Sequence, residues 1–353
     1  MGISDRILGK SKASGNGRPR IDSILPAAAL PGGEVRISGS HLKPQDLERP
    51  RVRFGESEGS IVVSSDDVVI VRVPDDASSG HVSVSSDSHS SNVFAIQVAV
   101  PIADEMHPVT NPAIDASGNV FTTFSGTRGQ KVPVSIFRID AEYTTKPFLS
   151  ELMNATGIAF GRDGDMFVSS RLEGTVYRVS PGGEMKVFAE GMGVATGVAF
   201  DANGNLYVGD RSGTIFKISH SGETFVFATL EPSVSAYHLA FSRDGNLYVS
   251  GPTTSSFDTI YRIDPHGAVS DFFRGLGRPQ GMAFDAEGNL YVAGSLAGQR
   301  GIVRLTPAAK PSLAVAGHQI VGLAFAPGGA AFITTNSSVH YLDWGIEGMP
   351  LFA

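Results

Sequence analysis

Polar side chains recur at equivalent positions of six similar segments, and these are the residues of the chain best suited to binding a ligand. Each segment has an apolar run, a turn containing glycine and a second apolar run, as in residues 155–170. The polar positions lie just before the first run or just after the second. They supply hydroxyls, imidazoles, an amide, two guanidinium groups and one carboxylate: Thr156, Thr196, Tyr237, His107, His238, His318, Gln280, Arg171, Arg211 and Asp210. Such a set can hold a polar or anionic molecule, or a peptide, through neutral and charge-assisted hydrogen bonds.

These positions are expected to meet on one face of the molecule. The two apolar runs of each segment predict two antiparallel strands, in which the start of the first strand and the end of the second lie at the same end. We therefore predict a ligand-binding face around a central axis, where Arg171 and Arg211 give the charged contacts. A second interpretation stays open, in which Asp210 and Arg211 pair with each other and the threonines only satisfy strand ends.

His107 and His318 precede the first and last segments, which become neighbours if the segments close into a ring. Two imidazoles can belong to a metal site, but Glu105 is the only evident acidic companion. Two surface histidines without a common ligand are the alternative. The sequence therefore predicts no metal ion and no other cofactor.

The spacing of the segments identifies the architecture that positions these residues. Their turn glycines recur about every 40 residues, which is typical of radially arranged sheets. An alanine and a bulky residue recur side by side in the first strand, as in Ala159 and Phe160, so each blade has a small face and a large face. We predict a six-bladed β-propeller over residues 103–353, with its aromatic columns in the core. The turn glycines are Gly118, Gly164, Gly204, Gly245, Gly288 and Gly329.

The sequence also bears on how the ring closes. The last apolar run, residues 350–353, is expected to be the outer strand of the sixth blade. Closure would then join complete first and last blades, with residues 99–106 as a possible clasp, and the sequence leaves this open.

Residues 20–98 have a different pattern, with short alternating runs about ten residues apart, as in an all-β sandwich. Val35, Ile37, Val52 and Phe54 are expected to face inward. This stretch resembles the immunoglobulin-like IPT/TIG module, and the resemblance implies a spacer or a protein-docking role. Acidic loops argue against the DNA-binding members of that family. The matching residues are Pro31, Gly32, Gly33, Gly39, Phe54, Gly55, Pro74 and Gly80.

The repeats resemble the six-bladed NHL and regucalcin/gluconolactonase-like propellers, through the pattern of residues 197–208 followed by a strand such as 214–218. In the lactonase family the resemblance implies a divalent cation held by Glu, Asn and Asp at the starts of the inner strands. The comparable positions here are Thr156, Thr196 and Gln280, which are weak ligands for a hard cation. The catalytic apparatus of that family is therefore not expected, although Ca²⁺ or another divalent metal remains part of the alternative.

Composition narrows the remaining classes of function. The net charge of −7 argues against nucleic acid as a partner. The chain has no cysteine, which excludes thiol nucleophiles and thiolate metal sites. No apolar run is long enough to span a membrane, and residues 1–19 resemble a flexible basic tail rather than a secretory signal. We therefore expect a cytoplasmic protein without a membrane partner.

The sequence favours a non-catalytic protein that recognises a small polar or anionic ligand, or a protein partner, on the axial face. The alternative is a metal-dependent hydrolase of the gluconolactonase-like class with a degenerate or relocated metal site. A third possibility is that both domains serve as scaffolding in a larger assembly.

Overall fold

The computed structural model describes residues 17–44, 49–127 and 129–350 of the chain. Within these ranges every regular element is a β-strand, which confirms the predicted all-β fold. The described part contains no helix that is long and apolar enough to cross a membrane. Residues 1–16 of the predicted basic tail lie outside the described residues.

The first ten strands form a sandwich of two sheets. One sheet has the order β1-β3-β7-β6, and the other contains β2-β10-β8-β4-β5, with β9 beside β8. Val35, Ile37, Val52 and Phe54 are buried between the sheets, as predicted. The strands are β1 (Arg20–Leu25), β2 (Ala28–Ala29), β3 (Glu34–Ser40), β4 (Arg51–Phe54), β5 (Ser57–Glu58), β6 (Ser60–Ser64), β7 (Val68–Arg72), β8 (Gly80–Ser86), β9 (His89–Ser90) and β10 (Phe94–Val98).

The remaining strands form six blades of four strands each, which is the predicted propeller. Blades 1 to 3 are β12 (Ala113–Ile114), β13 (Val120–Thr123), β14 (Ile136–Ile139), β15 (Thr145–Leu149); β16 (Ala155–Phe160), β17 (Met166–Ser170), β18 (Thr175–Val179), β19 (Met185–Ala189); and β20 (Ala195–Phe200), β21 (Leu206–Asp210), β22 (Thr214–Ile218), β23 (Thr224–Thr229). Blades 4 to 6 are β24 (His238–Phe241), β25 (Leu247–Ser250), β26 (Asp258–Ile263), β27 (Val269–Gly277); β28 (Met282–Phe284), β29 (Leu290–Leu296), β30 (Gln299–Leu305), β31 (Pro311–Ala316); and β32 (Ile320–Phe325), β33 (Ala330–Thr335), β34 (Ser338–Asp343) with β11 (Val100–Asp104).

The ring is closed by a strand from the other end of the propeller. β11 pairs antiparallel with β34 and is the outermost strand of blade 6. The predicted clasp at residues 99–106 is therefore confirmed, whereas the outer strand of blade 6 is β11 and not residues 350–353 as expected. Because β11 precedes blade 1 in the chain, it ties the last blade to the first.

Aromatic rings hold neighbouring blades together. In five of the six contacts, an aromatic residue on the second strand of one blade lies edge-on against a phenylalanine on the innermost strand of the next blade. Tyr207 and Phe241 are an example, with 4.9 Å between their ring centroids. At the sixth contact Phe332 meets Ile114 instead. The predicted aromatic column is thus part of the core, and each such pair adds about 0.5–1.5 kcal/mol to the burial of its area.

The sandwich and the propeller share backbone hydrogen bonds. β2 pairs in parallel with β31, so the sheet of blade 5 continues into the sandwich. The N–H of Leu30 donates to the carbonyl of Ala316 at 2.8 Å, and Gln97 Nε2 donates to the carbonyl of Asp343, also at 2.8 Å. Ala28, Leu30 and Ala99 are buried in the same apolar cluster as blades 5 and 6. The two parts therefore have a common core at this edge.

Candidate binding site

The predicted axial residues lie at the start of the inner strands. Thr156, Thr196, Tyr237 and His238 are buried, and Gln280 is partly exposed. The inner strands approach each other closely, because a Cβ on Gly157 would lie 2.9 Å from the backbone nitrogen of Val198 in the next blade. At this depth the ring therefore has little free space along its axis.

Hydroxyl groups in this region bond to the backbone of a neighbouring blade. Thr110 Oγ1 donates to the carbonyl of Thr156 at 2.7 Å. Three more hydroxyls, each near the end of the second strand of its blade, also donate to a backbone carbonyl of the next blade. They are Ser169 Oγ to Thr196 O, Ser250 Oγ to Gln280 O at 2.6 Å, and Thr334 Oγ1 to Thr110 O at 3.0 Å. The polar columns therefore join the blades to one another.

The predicted threonine and tyrosine ligands have partners of their own. Thr156 Oγ1 donates to Asn154 O at 3.0 Å, and Thr196 Oγ1 donates to Gly209 O at 2.8 Å. Thr196 Oγ1 also accepts from the N–H of Tyr237 at 3.1 Å, while the Tyr237 hydroxyl donates to the carbonyl of Glu231. These hydroxyls stabilise strand ends, as the second interpretation of the sequence proposed for the threonines.

Asn111 occupies the axis and bridges three blades. From blade 1 its Nδ2 donates to Met282 O at 2.9 Å in blade 5, and its Oδ1 accepts from the N–H of Leu323 at 3.1 Å in blade 6. Space for this side chain exists because the facing residue is glycine, since a Cβ on Gly322 would lie 2.6 Å from the Cα of Asn111. Asn111 therefore joins the first blade to the last two at a second point, in addition to the pairing of β11 with β34.

A cavity of about 30 Å³ remains beside Asn111, and His238 forms part of its wall. His238 is 3% exposed, and burial lowers its pKa to about 3. The imidazole is therefore neutral near pH 7, so it can offer a hydrogen bond but no charge. The cavity is lined by Thr110, Asn111, Gly157, Ile158, Gly197, Val198, His238 and Leu239.

Asp210 and Arg211 do not pair with each other in the described structure. The Asp210 carboxylate accepts from the N–H of Val194 at 2.9 Å and from both the backbone and the hydroxyl of Ser212. Arg211 Nη2 donates to Val234 O at 2.7 Å, while its Nε is buried without a hydrogen-bond partner among the described residues. Arg171 has a similar position one blade away, where its Nη2 donates to Gly126 O at 2.8 Å.

His107 and His318 are both exposed. The His107 ring lies edge-on to Phe124, with 5.3 Å between the ring centroids. Within residues 17–44, 49–127 and 129–350, no three His, Cys, Asp or Glu side chains come together in a group that could hold a metal ion. A common role for the two histidines stays a prediction.

The residues at the inner-strand starts do not fit the divalent cation that the lactonase resemblance implies. Thr156 and Thr196 use their hydroxyls in hydrogen bonds to backbone carbonyls, and Asn111 uses both atoms of its amide. A hard cation needs several free oxygen ligands, preferably carboxylates. No step that depends on a metal at the axis is therefore derived for this chain.

Several residues of this face were not identified from the sequence. Ser169, Ser250 and Thr334 lie near the ends of the second strands, and Ser169 is two positions before the predicted Arg171. The position of Asn111 is occupied by glycine in blades 2, 3, 5 and 6, and this contrast is the signal in the sequence that could have identified it. Glycines at Gly281 and Gly322 indicate a close approach of backbone, which is what the asparagine requires.

Comparison with known proteins supports the two-part architecture. Residues 19–98 match the IPT/TIG domain family, as the sequence predicted. No curated protein matches the chain significantly.

Solved structures with the same fold are far from this chain in sequence. A candidate gluconolactonase is 19% identical, covers 71% of this chain and 93% of its own, and has a TM-score of 0.60. The calcium-binding protein regucalcin from Agrobacterium tumefaciens is 18% identical, covers 70% and 93%, and has a TM-score of 0.55. An auxiliary nutrient binding protein from Bacteroides ovatus is 13% identical, covers 93% and 98%, and has a TM-score of 0.55. The chain is therefore an IPT/TIG domain joined to a propeller similar to those of the gluconolactonase and regucalcin structures.

Proposed function

We propose that this protein binds a polar or anionic small molecule, or a protein partner, on the axial face of the propeller, without catalysing a reaction. The observation that carries the proposal is the state of Arg211. Its guanidinium is partly buried, has a hydrogen bond to one backbone carbonyl and no ion pair with a described residue. A guanidinium in this state retains donors for an anionic or carbonyl oxygen of a ligand.

Gln280 supports the same proposal from two blades away. Its backbone is held by Ser250 Oγ and by its own N–H bond to Ala293 O, while its partly exposed side-chain amide has no hydrogen bond to the described residues. An amide held by its backbone but free at its tip is suited to neutral contacts with a polar ligand. His238 adds a neutral group at the cavity.

A binding role agrees with the description of one structural neighbour. The Bacteroides ovatus protein, described as an auxiliary nutrient binding protein, aligns with 93% of this chain, so the likeness extends beyond the propeller. The rival is a metal-dependent hydrolase of the gluconolactonase-like class. We favour binding because Thr156 and Thr196, at the positions in question, have their hydroxyls engaged by backbone groups.

Ligand-induced stabilisation tests the proposal. Purified protein is screened by thermal shift against dicarboxylates, sugar acids and phosphorylated sugars. We expect Arg211→Ala to weaken binding of a hit tenfold or more, because hydrogen bonds to a charged group contribute about 1.5–3 kcal/mol. Gln280→Ala should weaken it less, and Arg243→Gln, at the opposite end of blade 4, should leave it unchanged.

The hydrolase is tested in parallel with a panel of lactones, with and without added divalent metal and with a chelator. Metal-dependent turnover that the chelator abolishes would replace the binding proposal by the enzyme. Hits that bind Arg211→Ala and the parent protein equally well would remove the axial face as the site.

A further inference from the structure

Two large apolar side chains are exposed on loops next to Arg211. Val234 is 48% exposed and Phe257 is 64% exposed. The backbone of Val234 is hydrogen-bonded to Arg211 and to Pro252. Its carbonyl accepts from Arg211 Nη2 at 2.7 Å, and its N–H donates to Pro252 O at 2.9 Å. Phe257 lies in the loop that Pro252 begins. The guanidinium and the apolar side chains thus belong to one set of connected loops, here called the Arg211 patch.

Buried polar groups hold these loops in place. Asp258, 2% exposed, accepts from both the N–H and the hydroxyl of Thr253 at 2.9 and 2.8 Å. Ser233 Oγ donates to Pro252 O at 2.9 Å, and the N–H of Ser233 donates to Arg211 O at 3.1 Å. Phe257 is therefore exposed on an anchored loop, although burial of such a side chain would be favourable.

Arg211 forms no ion pair with a described residue. Asp210, its neighbour in the chain, is bonded to Val194 and Ser212. Glu231 is the nearest acid on the loop that carries Val234, and it forms no ion pair with a described residue. A partner that brings a carboxylate to Arg211 would complete this patch.

We infer that the Arg211 patch binds a peptide segment of a partner protein in which an acidic residue stands next to a large apolar residue. This inference rests on the proposed function and specifies its ligand. The acidic residue pairs with Arg211, and the apolar side chain covers Val234 and Phe257. A small anion would satisfy Arg211 alone and would leave both apolar side chains in water, so the combination favours a peptide.

A random twelve-residue peptide library displayed on phage provides the probe. It is selected on the immobilised full chain, and enriched peptides are synthesised and measured by fluorescence polarisation. Enriched peptides are expected to share an aspartate or glutamate beside a leucine, phenylalanine or tryptophan. Changing the acid to its amide, or Arg211→Gln in the protein, should each weaken binding at least tenfold. Phe257→Ala should weaken it about tenfold, which corresponds to about 1.4 kcal/mol.

Two matched variants control for general effects of losing an arginine or a phenylalanine. Arg243 also donates to one backbone carbonyl, that of Ala286 at 3.2 Å, and Phe225 is 54% exposed on β23. Arg243→Gln and Phe225→Ala should bind the peptides like the parent protein. Phe257→Ala keeps the test valid if Arg211→Gln disturbs its loop, because Phe257 forms no ring contact with the described residues.

Three results would overturn the inference: no peptide enriched over blank beads, enriched peptides without an acidic residue, or equal binding to Phe257→Ala and to the parent. If in addition a small anion binds in a manner that depends on Arg211, the proposed function survives and only its assignment to a peptide fails. If neither peptides nor small anions bind, both fail.

Discussion

Asn111→Ala is the sharpest test of how the ring is held together. The substitution removes two hydrogen bonds and leaves the N–H of Leu323 and the carbonyl of Met282 without their partner. Both residues are almost completely buried, at 0% and 1% exposure. An unsatisfied buried group costs about 1–3 kcal/mol, and water from the adjacent cavity can recover part of that, so we expect a loss of about 3 kcal/mol in the free energy of unfolding.

Urea denaturation followed by tryptophan fluorescence measures this loss. Trp344 is the only tryptophan, and its ring lies 5.1 Å from Tyr291 and 5.8 Å from Phe325, so it reports on the contact between blades 5 and 6. Asn111→Asp serves as a second variant, because it keeps the size but replaces the donor to Met282 with an acceptor. At pH 7 it should be at least as destabilising as the alanine variant.

Asn336→Ala is the control for Asn111→Ala. Asn336 is an exposed asparagine on the same face, and its backbone bond to Gln319 does not involve the side chain. Its replacement should change the stability by less than about 0.5 kcal/mol. An Asn111→Ala variant that loses no more than this control would show that the side chain does not lock the ring.

Three further predictions concern acid, backbone space and the sandwich. Burial lowers the pKa of His238 to about 3, from about 6.5 for an exposed histidine, so the unfolded chain binds the extra proton first. The stability that depends on neutral His238 is complete above about pH 6.5 and falls as the pH drops toward 3, by about 2 kcal/mol at pH 5. Melting temperatures at pH 7 and pH 5, compared with those of His238→Asn, measure this loss. Gly322→Ala places a methyl group 2.6 Å from the Cα of Asn111, whereas a methyl group at Gly80 has no atom within 4 Å. The melting temperature of Gly322→Ala should therefore be well below that of Gly80→Ala. Deleting residues 1–98 uncovers the edge of blade 5 and part of its core, so the remaining propeller should aggregate or be cut rapidly in limited proteolysis. A truncated propeller as stable as the full chain would contradict the shared core.

The architecture could be predicted because the repeat acts at every blade. Ala199 and Phe200 on the inner strand and Tyr207 on the second strand follow the pattern that packs the blades at five of the six contacts. The recurrence of this pattern in the sequence reveals the ring. The closure could not be predicted in this way. β11 and residues 350–353 are both short apolar runs, and only the pairing of β11 with β34 distinguishes them.

The site was predicted less well because sequence position does not determine which direction a strand end faces. Thr156 and Thr196 do lie at the start of their inner strands, as the repeats require. Their hydroxyls nevertheless meet a carbonyl within a few ångströms, and that satisfies them inside the protein. Val234 and Phe257 were missed for another reason, since they lie in loops outside the repeated columns, where alignment of the segments gives no signal.

Departures from the repeat therefore identify the parts of this ring that need a separate explanation. One departure is Asn111, and closure of the ring accounts for it. The other is the start of blade 4, where Tyr237 and His238 replace the threonine and glycine of blades 2 and 3, and residues 230–237 form a longer connection than residues 190–194. Ring closure does not require this change, since it lies far along the chain from β11. The longer connection is the one that carries Val234 and receives the Arg211 guanidinium, so the asymmetry coincides with the surface for which we propose a ligand.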